Sequence, residues 1–485
     1  MFTTDPTLKD IPLCVDLDGT LIKTDSLFEL FLLLLKKNPL YCFIAIFWLR
    51  KSKAYLKEQI TKRVQLSVES LPYNDDVIKY IRSQDPNRKI LLVTGSNNKV
   101  AESVSKHLGL FDEVMASDSI TNLTDENKRK LLVSRFGEDG FEYIGNDNAD
   151  FSVWSSAKYV SVVSQENNFL QKVRNTFDVK QEFKLTTPTI RNYMKAIRLH
   201  QWVKNFLVFV PFLLDHRFND GDAFIQLILT FLGLSILASF TYIINDLLDL
   251  ESDRLNQYKC NRPFASCLIS IKQAVVMMLI LFTVLIVLLS FVSLPVILVL
   301  FIYLIATLSY SFYLKRVAIL DVTMLAGLFS LRVIAGIVAI DSGWSFWLLA
   351  FSMFFFLSLA FAKRFSEIEN LRKENRTTTV GRGYHVEDLP MLNISGVAAG
   401  YLSILVIALY IDSEKVREMY VHPEILWLIC PLLMYWVGRI WLITCRGEMH
   451  EDPIVFAIRD KVSILTASLC FAIMASATFV FGKLL

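Results

Sequence analysis

A succession of apolar runs after residue 200 constrains the fold more than any other feature of this chain. Nine runs stand near residues 203–215, 223–244, 272–291, 294–313, 318–340, 344–362, 391–411, 424–443 and 462–482. A helix needs about 20 apolar residues to cross the hydrocarbon core of a bilayer, and every run except the short first one has roughly that length. Hydrophobic residues make up 53% of the chain, more than a soluble globular protein needs. The sequence therefore predicts an all-α integral membrane bundle of about nine transmembrane helices.

The distribution of basic residues predicts how this bundle is oriented. Lys and Arg are frequent in the loops after the second, fourth, sixth and eighth runs, and rare in the other loops. Because cytoplasmic loops carry the excess of Lys and Arg, we expect these loops, and all residues before 200, on the cytoplasmic side.

Charge and cysteine content exclude several classes of function. The chain holds 50 Lys and Arg against 47 Asp and Glu, a balance that gives no case for nucleic-acid binding. Its seven cysteines are scattered and form no C-x-x-C pair, which argues against a disulfide framework or a zinc site.

Carboxylates gather where the second apolar run ends, in the segment N-D-L-L-D-L-E-S-D at residues 245–253. Charge near the hydrocarbon boundary is costly and is usually retained for function. On a continuous helix, the pitch brings Asp246, Asp249 and Asp253 within about 60° of arc. Three carboxylates on one face suit a hard divalent cation, which in turn can hold a diphosphate. The alternative is a solvated helix end that follows the polarity of the interface.

Basic residues follow the carboxylates closely, and Lys259 and Arg262 suit an anion that a metal bridges to the acidic cluster. Together with Asn245, the whole pattern resembles the first aspartate motif of the UbiA superfamily of intramembrane prenyltransferases. The resemblance covers roughly residues 190–485. It implies a Mg²⁺ ion on the three aspartates, with Asn245, Lys259 and Arg262 at the substrate.

A second acidic motif lies near the N-terminus, directly after the apolar residues 11–15, which are typical of a buried strand. This motif, D-x-D-G-T, begins at Asp16 and resembles the first motif of the haloacid-dehalogenase (HAD) superfamily. The resemblance implies an α/β Rossmann-like domain with a helical cap and phosphohydrolase chemistry. In that chemistry Asp16 attacks a phosphoryl group, and Asp18 protonates the leaving group and later activates water.

Further matches to the HAD superfamily follow in the expected order. Thr94 ends a second buried strand, and its hydroxyl is implied to bind the phosphoryl group. Lys128 stands where the superfamily has its motif lysine, although a surface lysine is the alternative because Lys130 is near. An inactive HAD-like fold is the alternative for the whole set.

The last of these motifs departs from the common pattern. A third strand leads to G-N-D-N-A-D, in which Asn146 stands where an acid is usual. Either Asp147 or Asp150 is implied to complete a Mg²⁺ site with Asp16 and Asp18, and the sequence leaves the choice open.

The segment between the first two HAD motifs, where a cap is expected, is unusually apolar. Residues 27–35 and 40–49 are two apolar runs of about ten residues, each too short to span a bilayer. They form either a hairpin in the membrane interface or a buried cap core. Basic residues such as Arg50, Lys51 and Lys53 follow and would suit an anionic membrane surface.

The bundle also departs from ordinary UbiA members, which usually carry a second D-x-x-x-D cluster after the fourth span. This chain has a lone Asp321 there, and basic residues elsewhere. Asp321 and these basic residues are predicted to bind substrate: Lys204, Lys315, Arg316, Arg332, Lys363 and Arg364. Arg332 lies inside the fifth run, close to three helical turns after Asp321. A structural pair with a neighbouring helix is its alternative role.

This set of residues resembles that of the decaprenyl-phosphate phosphoribosyltransferases. The resemblance implies transfer of 5-phosphoribose from phosphoribosyl diphosphate to a polyprenyl (decaprenyl-type) phosphate. The HAD domain would then remove the 5-phosphate, giving polyprenyl-phosphate-ribose. Two alternatives remain: an aromatic prenyltransferase of quinone or haem pathways, and a transferase whose HAD domain is regulatory rather than catalytic.

The sequence thus predicts a two-domain enzyme of a bacterial inner or plasma membrane. Residues 1–180 form the HAD-like phosphatase domain, with the apolar cap at about 25–80, and residues 181–485 form the UbiA-like transmembrane domain. Each domain is expected to hold one Mg²⁺ ion. The expected partners are the bilayer, polyprenyl phosphate and phosphoribosyl diphosphate, and a second copy of the chain is allowed.

Overall fold

The computed structural model describes residues 10–118, 122–217, 219–257, 259–373, 383–449 and 452–478. The chain divides into two compact units. The first unit comprises residues 1–197 together with 242–278, and the second comprises residues 198–241 together with 279–485.

The first unit is built on a six-stranded parallel sheet in the order β3-β2-β1-β4-β5-β6. The strands are β1 Leu13–Val15, β2 Ile90–Asn97, β3 Glu113–Ser117, β4 Glu142–Gly145, β5 Tyr159–Ser164 and β6 Val179–Lys184. The chain order reverses between β1 and β4, and in such sheets ligands bind outside the carboxyl ends of the strands at this point. The predicted α/β domain with a parallel sheet is confirmed, and β6 crosses the boundary predicted at residue 180.

Helices cover both faces of this sheet. They are α1 Ser26–Lys37, α2 Tyr41–Lys51, α3 Lys53–Thr61, α4 Asp75–Arg82, α5 Asn98–Leu108, α6 Asp125–Phe136, α7 Phe151–Trp154, α8 Asn167–Thr176 and α9 Ile190–Ala196. Leu13 and Val15 belong to one hydrophobic cluster and Cys14 to another, because successive side chains of a strand point to opposite faces. The near-continuous apolar character of β1 follows from this two-sided burial.

The two apolar runs of the cap have different environments. The first run lies in α1, where Leu30 and Leu34 are buried in the core of the sheet domain. The second run lies in α2, in which Ala45 is the buried residue and most large side chains are exposed. The buried-core alternative therefore describes α1. In α2, Tyr41 and Trp48 pack against that core, and the other large side chains are exposed.

Eight helices of the described residues are long and apolar enough to cross a membrane. The helices of this part of the chain are α10 Val210–Leu214, α11 Gly221–Leu248, α12 Leu250–Arg254, α13 Ile271–Leu289, α14 Leu294–Phe312, α15 Leu320–Ala339, α16 Phe346–Lys373, α17 Leu389–Ile411, α18 Glu414–Met419, α19 Ile429–Cys445, α20 Pro453–Arg459 and α21 Lys461–Thr478. Short 3₁₀ helices lie at Val68–Ser70, Asn148–Asp150, Leu199–Phe209, Leu314–Arg316, Val386–Asp388 and Pro423–Leu428. The prediction of a multi-pass integral membrane protein is confirmed.

The first predicted span differs from the other eight. Leu199–Leu214 is a shorter apolar segment, made of a 3₁₀ helix and α10. It carries the buried polar residues Lys204 and Asn205, and Pro211 stands at the start of α10. The count of nine transmembrane helices stays a prediction.

Close packing in the bundle depends on small residues. At Gly396 in α17, an added Cβ would lie 2.1 Å from the ring of Trp441. That ring is held in place, since its Nε1 donates to Ser358 Oγ at 3.0 Å and Ser358 donates to the Gly396 carbonyl at 2.7 Å. Small residues at helix contacts let helices approach closely in membranes.

Replacing Gly396 with alanine should therefore destabilise the bundle by about 1–3 kcal/mol through overpacking. Gly327 in α15 is the matched control, because nothing lies within 4 Å of its added Cβ. We expect Gly396→Ala to lower the unfolding temperature in detergent, and Gly327→Ala to leave it unchanged or raised. Equal unfolding temperatures for the two variants would contradict this packing.

Candidate active sites

The first candidate site lies at the carboxyl ends of β1 and β4. Asp16 follows β1, and its Oδ1 accepts a hydrogen bond from Lys128 Nζ at 2.9 Å. Lys128 Nζ is also 3.8 Å from Asp150 Oδ1, and it donates to the Tyr143 hydroxyl at 2.7 Å. The structure thus brings together residues far apart in sequence, and Lys128 is buried rather than on the surface.

The two acids after β4 have different environments. Asp150 is buried; its Oδ1 accepts from the Tyr143 hydroxyl at 2.9 Å, and its Oδ2 accepts from the backbone N–H groups of Asn146 and Asp147. Asp147 is exposed, and its Oδ1 accepts from the Asn148 backbone N–H. Of the two alternatives, Asp150 is therefore the acid that lies near Asp16.

Asp18 is held by two serines that the sequence analysis did not single out. Its Oδ1 accepts from the backbone N–H of Ser26 at 2.8 Å, and its Oδ2 accepts from the hydroxyls of Ser26 and Ser96. Thr94 is fully buried, and its Oγ1 accepts from the Ser96 N–H at 3.0 Å. Ser96 could have been found from its place just after Thr94, whereas Ser26 carries no local signal.

The buried carboxylates of Asp16 and Asp150 favour a positive charge between them. Burial raises the pKa of Asp16 to about 7, against the opposing effect of the Lys128 ammonium group. Burial alone would lower the pKa of Lys128, but the carboxylates of Asp16 and Asp150 raise it on balance. A cation is therefore retained among the carboxylates of the site.

The second candidate site is the carboxylate segment at residues 245–253. Helix α11 ends at Leu248 and α12 begins at Leu250, so Asp249 lies between two helices. Asp246 and Asp253 both contact Arg262, whose Nη1 is 3.2 Å from Asp246 Oδ1 and 2.6 Å from Asp253 Oδ2. Burial raises the pKa of Asp253, although Arg262 opposes the shift.

The other residues of this segment have separate contacts. Asp249 Oδ1 is 3.5 Å from Lys36 Nζ of α1. The Asn245 carbonyl accepts the backbone N–H of Asp249 at 3.0 Å. Lys259 is half-buried, and its charge favours the ionised form of Asp253. Arg262 therefore bridges Asp246 and Asp253, and Lys36 pairs with Asp249.

Both sites offer oxygen donors of the kind that Mg²⁺ prefers. In each, however, a cationic side chain lies between two carboxylates: Lys128 in the first and Arg262 in the second. Among the described residues, no three His, Cys, Asp or Glu side chains are grouped as a metal site. The donor chemistry fits Mg²⁺, and the side chains are arranged as charge pairs.

A buried ion pair connects the cap helix to the carboxylate segment within the first unit. Arg254 donates to Glu29 through Nη2 at 2.6 Å and Nη1 at 3.2 Å. Glu29 Oε1 also accepts from the Thr24 hydroxyl at 2.8 Å. Less than a tenth of each charged side chain is exposed. The pair fixes α1 against α12.

We expect Glu29→Ala to destabilise the first unit by about 3–5 kcal/mol, because Arg254 would remain buried without its carboxylate. The control is Glu182→Ala, which removes the partner of the exposed Arg174 and should leave the unfolding temperature nearly unchanged. The measurement is thermal unfolding of the full chain in detergent. A Glu29→Ala variant as stable as the control would show that the pair contributes little.

The third candidate site lies in the second unit and consists of two lysines that share one carboxylate. Asp452 Oδ2 is 2.8 Å from Lys204 Nζ and 2.9 Å from Lys363 Nζ. Burial would raise the pKa of Asp452, but the ammonium groups of Lys363 and Lys204 hold it well below its usual range. Asp452 also caps α20 by accepting from the Ile454 N–H at 3.2 Å. Its Asp-Pro sequence before a helix was a signal for such a cap.

Asp321 is fully buried and bound to groups of the protein. It forms an ion pair with Arg364 and accepts from the Tyr384 hydroxyl at 2.5 Å. Arg364 also pairs with Glu367. The guanidinium of Arg364 therefore balances the charge of Asp321 within the protein.

Arg332 lies in a separate polar network inside the bundle. Its Nε donates to Asn205 Oδ1 at 2.9 Å, and its Nη2 donates to the Tyr303 hydroxyl at 2.9 Å. Arg332 therefore has the contacts of a structural residue that pairs with neighbouring helices, which was the alternative to substrate binding.

Lys315 and Arg316 lie in the short 3₁₀ helix after α14, where Arg316 is exposed.

Comparison with known proteins supplies independent information. Residues 216–457 match the model of the UbiA prenyltransferase family. The uncharacterized protein y4nM of Sinorhizobium fredii is 36% identical over 94% of this chain and 89% of its own length. The nodulation protein NoeC of Azorhizobium caulinodans is 30% identical over 56% of this chain and 89% of its own length. The decaprenyl-phosphate phosphoribosyltransferase of Mycolicibacterium smegmatis is 30% identical over 37% of this chain and 58% of its own length.

Proposed function

The chain belongs to the UbiA prenyltransferase family, and we propose that it transfers 5-phosphoribose from phosphoribosyl diphosphate to a polyprenyl phosphate. The proposal departs from the usual reaction of the family, because the diphosphate is on the sugar and the lipid phosphate is the nucleophile. The similarity to a decaprenyl-phosphate phosphoribosyltransferase supports this assignment over the part of the chain it covers.

The observation that carries the proposal is the pair of lysines on one carboxylate. Lys204 and Lys363 bring two positive charges to a partly buried place, and both contact the single carboxylate of Asp452. Among the described residues, Glu367 adds a negative charge that acts on Lys363. A buried excess of positive charge is costly unless an anion completes it. A phosphate group, such as that of a lipid phosphate or a sugar phosphate, would complete it.

The ion pair of Asp321 also supports phosphoribosyl diphosphate as the donor and polyprenyl phosphate as the acceptor. Asp321 and its partner Arg364 are both fully buried, so this pair has little capacity to open for a second metal-bound diphosphate, whereas Arg262 at the first acidic cluster is partly exposed. The acidic cluster of the first unit suits a metal-bound diphosphate, and the basic cluster of the second unit suits a phosphate group. Lys315, Arg316, Arg332 and Arg364 remain predicted substrate ligands.

In the proposed transfer, a lipid phosphate oxygen attacks the anomeric carbon of the ribose, and the bond from that carbon to the diphosphate breaks. Asp246, Asp249 and Asp253 would hold Mg²⁺, which when bound neutralises charge on the leaving diphosphate. Arg262 would exchange its two carboxylates for the diphosphate oxygens, and Asn245 and Lys259 would add polar contacts.

For the first unit we propose a HAD-type phosphatase that removes the 5-phosphate of the lipid product. Asp16 attacks the phosphorus atom, the bond to the ribose 5-oxygen breaks, and Asp18 protonates that oxygen. Water then hydrolyses the aspartyl phosphate and releases inorganic phosphate. Lys128 and the Thr94 hydroxyl would hold the phosphoryl group. Asp16, Asp18 and Asp150 would bind a Mg²⁺ ion that neutralises the phosphoryl charge when bound.

In this proposal both reactions occur on the cytoplasmic side of a bacterial inner membrane, and the excess of Lys and Arg in alternate loops supports that orientation. The lipid product of the transfer could then remain in the same leaflet for dephosphorylation.

Asp246→Ala should abolish transfer of labelled ribose to lipid while phosphatase activity of the first unit remains. Loss of a metal ligand removes several kcal/mol of charge stabilisation, which corresponds to at least about 100-fold in rate. Glu251→Ala is the matched control, because Glu251 belongs to the same segment but has no predicted role at the metal. Transfer at wild-type rate by Asp246→Ala at saturating Mg²⁺ would contradict the metal assignment.

Asp16→Asn should leave transfer intact and stop the second reaction, because an amide is nearly isosteric but a poor nucleophile. Mass spectrometry of the lipid fraction should then find ribosylated lipid that still carries its 5-phosphate, whereas wild type yields the dephosphorylated form. The same phosphorylated lipid from both proteins would assign a regulatory rather than a catalytic role to the first unit.

A further inference from the structure

Helix α2 of the cap exposes a continuous apolar stripe. The positions 40, 43, 44 and 47 follow the spacing i, i+3, i+4 and i+7 of one helix face. Leu40, which directly precedes α2, and Phe43 and Phe47 within it are 63%, 66% and 63% exposed. Ile46 and Leu49 beside this face are also exposed. Isolated exposed apolar residues are common on proteins, but a stripe of large ones marks an interaction surface.

The neighbouring helix α1 does not share this exposure. Its residues Leu30 and Leu34 are 3% and 0% exposed, and they pack into the core of the sheet domain. The surface is therefore confined to α2, and it is not a general consequence of the apolar composition of the cap.

The end of α1 lies near the carboxyl end of α11. Lys36, in the last turn of α1, is 3.5 Å from Asp249, and Asp249 directly follows α11. Helix α11 is one of the helices long and apolar enough to cross a membrane. Since α2 begins only four residues after α1 ends, we expect its apolar stripe to start near the boundary of the bilayer.

The charges around the stripe suit an anionic lipid surface. Arg50 and Lys51 form the last turn of α2, and Lys53 begins α3; all three are exposed. No Asp or Glu occurs in α2. Basic residues beside an apolar helix face are the pattern of helices that lie in the interface of anionic membranes.

We propose that α2 is a membrane-docking helix, which lies in the plane of the interface with its stripe at the boundary of headgroups and acyl chains. It would hold the first unit at the surface of a bilayer. The partner is the lipid bilayer, with anionic headgroups as counter-charges for Arg50, Lys51 and Lys53. The inference does not depend on the proposed function, because it rests on exposure, charge and the contact of Lys36.

The test uses the full chain in nanodiscs that contain anionic and zwitterionic lipid. An environment-sensitive fluorescent amino acid is introduced at Phe43, at Phe47 or, as a matched control, at Glu102, an exposed position of helix α5. We expect blue-shifted emission at the two α2 positions, and quenching by lipids labelled near the headgroup at least about twofold stronger than at Glu102. Water-like emission at all three positions would overturn the proposal.

Two further measurements separate the bilayer from a second copy of the chain. Replacing Arg50, Lys51 and Lys53 with glutamine should weaken the lipid quenching in anionic nanodiscs, and should change it little in purely zwitterionic ones. Nanodiscs that hold one chain each should give the same blue shift as nanodiscs that hold two chains. A shift seen only when two chains share a nanodisc would assign the stripe to a dimer and overturn docking to lipid.

Discussion

The ion pair between Glu29 and Arg254 connects the parts of the first unit on which its two candidate sites depend. Glu29 lies one turn after Ser26, which binds Asp18, and Arg254 lies next to Asp253 of the carboxylate segment. A buried guanidinium needs a carboxylate partner, so α1 and α12 are constrained to stay together. The loop that follows β1 and the end of the membrane helix α11 are thereby held by one cap helix.

In each of the three candidate sites, a buried charge is likewise paired with side chains of the opposite charge. Arg262 lies between two carboxylates, Lys128 lies near two carboxylates, and Asp452 lies between two lysines. In the first two sites a side-chain cation occupies the place where Mg²⁺ and a phosphate would act. In the third the excess charge is positive, which favours an anion. In the proposed reactions, substrate would replace these internal ion pairs with ligand contacts, and the desolvation cost of each charge would already be met by the fold.

Local patterns were enough to predict much of this structure. The apolar runs predicted the membrane helices, and the D-x-D-G-T motif after a strand placed Asp16 at the carboxyl end of β1. The helical period gave no indication that Asp249 pairs with Lys36, because the two residues are far apart in the sequence. Pairs such as Glu29 with Arg254 are separated by 225 residues, and no local signal joins them. Tertiary packing brings the two residues together, and the hydrophobic periodicity of a single helix carries no information about such long-range contacts.

The most direct test of the account offers the wild-type protein both kinds of substrate in one reaction. Purified full-length chain is incubated in lipid with Mg²⁺, phosphoribosyl diphosphate and polyprenyl phosphate, together with a prenyl diphosphate and an aromatic acceptor. Mass spectrometry then identifies the products in the lipid fraction. The account predicts ribosylated polyprenyl phosphate with release of diphosphate, and no prenylated aromatic compound. Prenylation of the aromatic acceptor without any ribosylated lipid would contradict it.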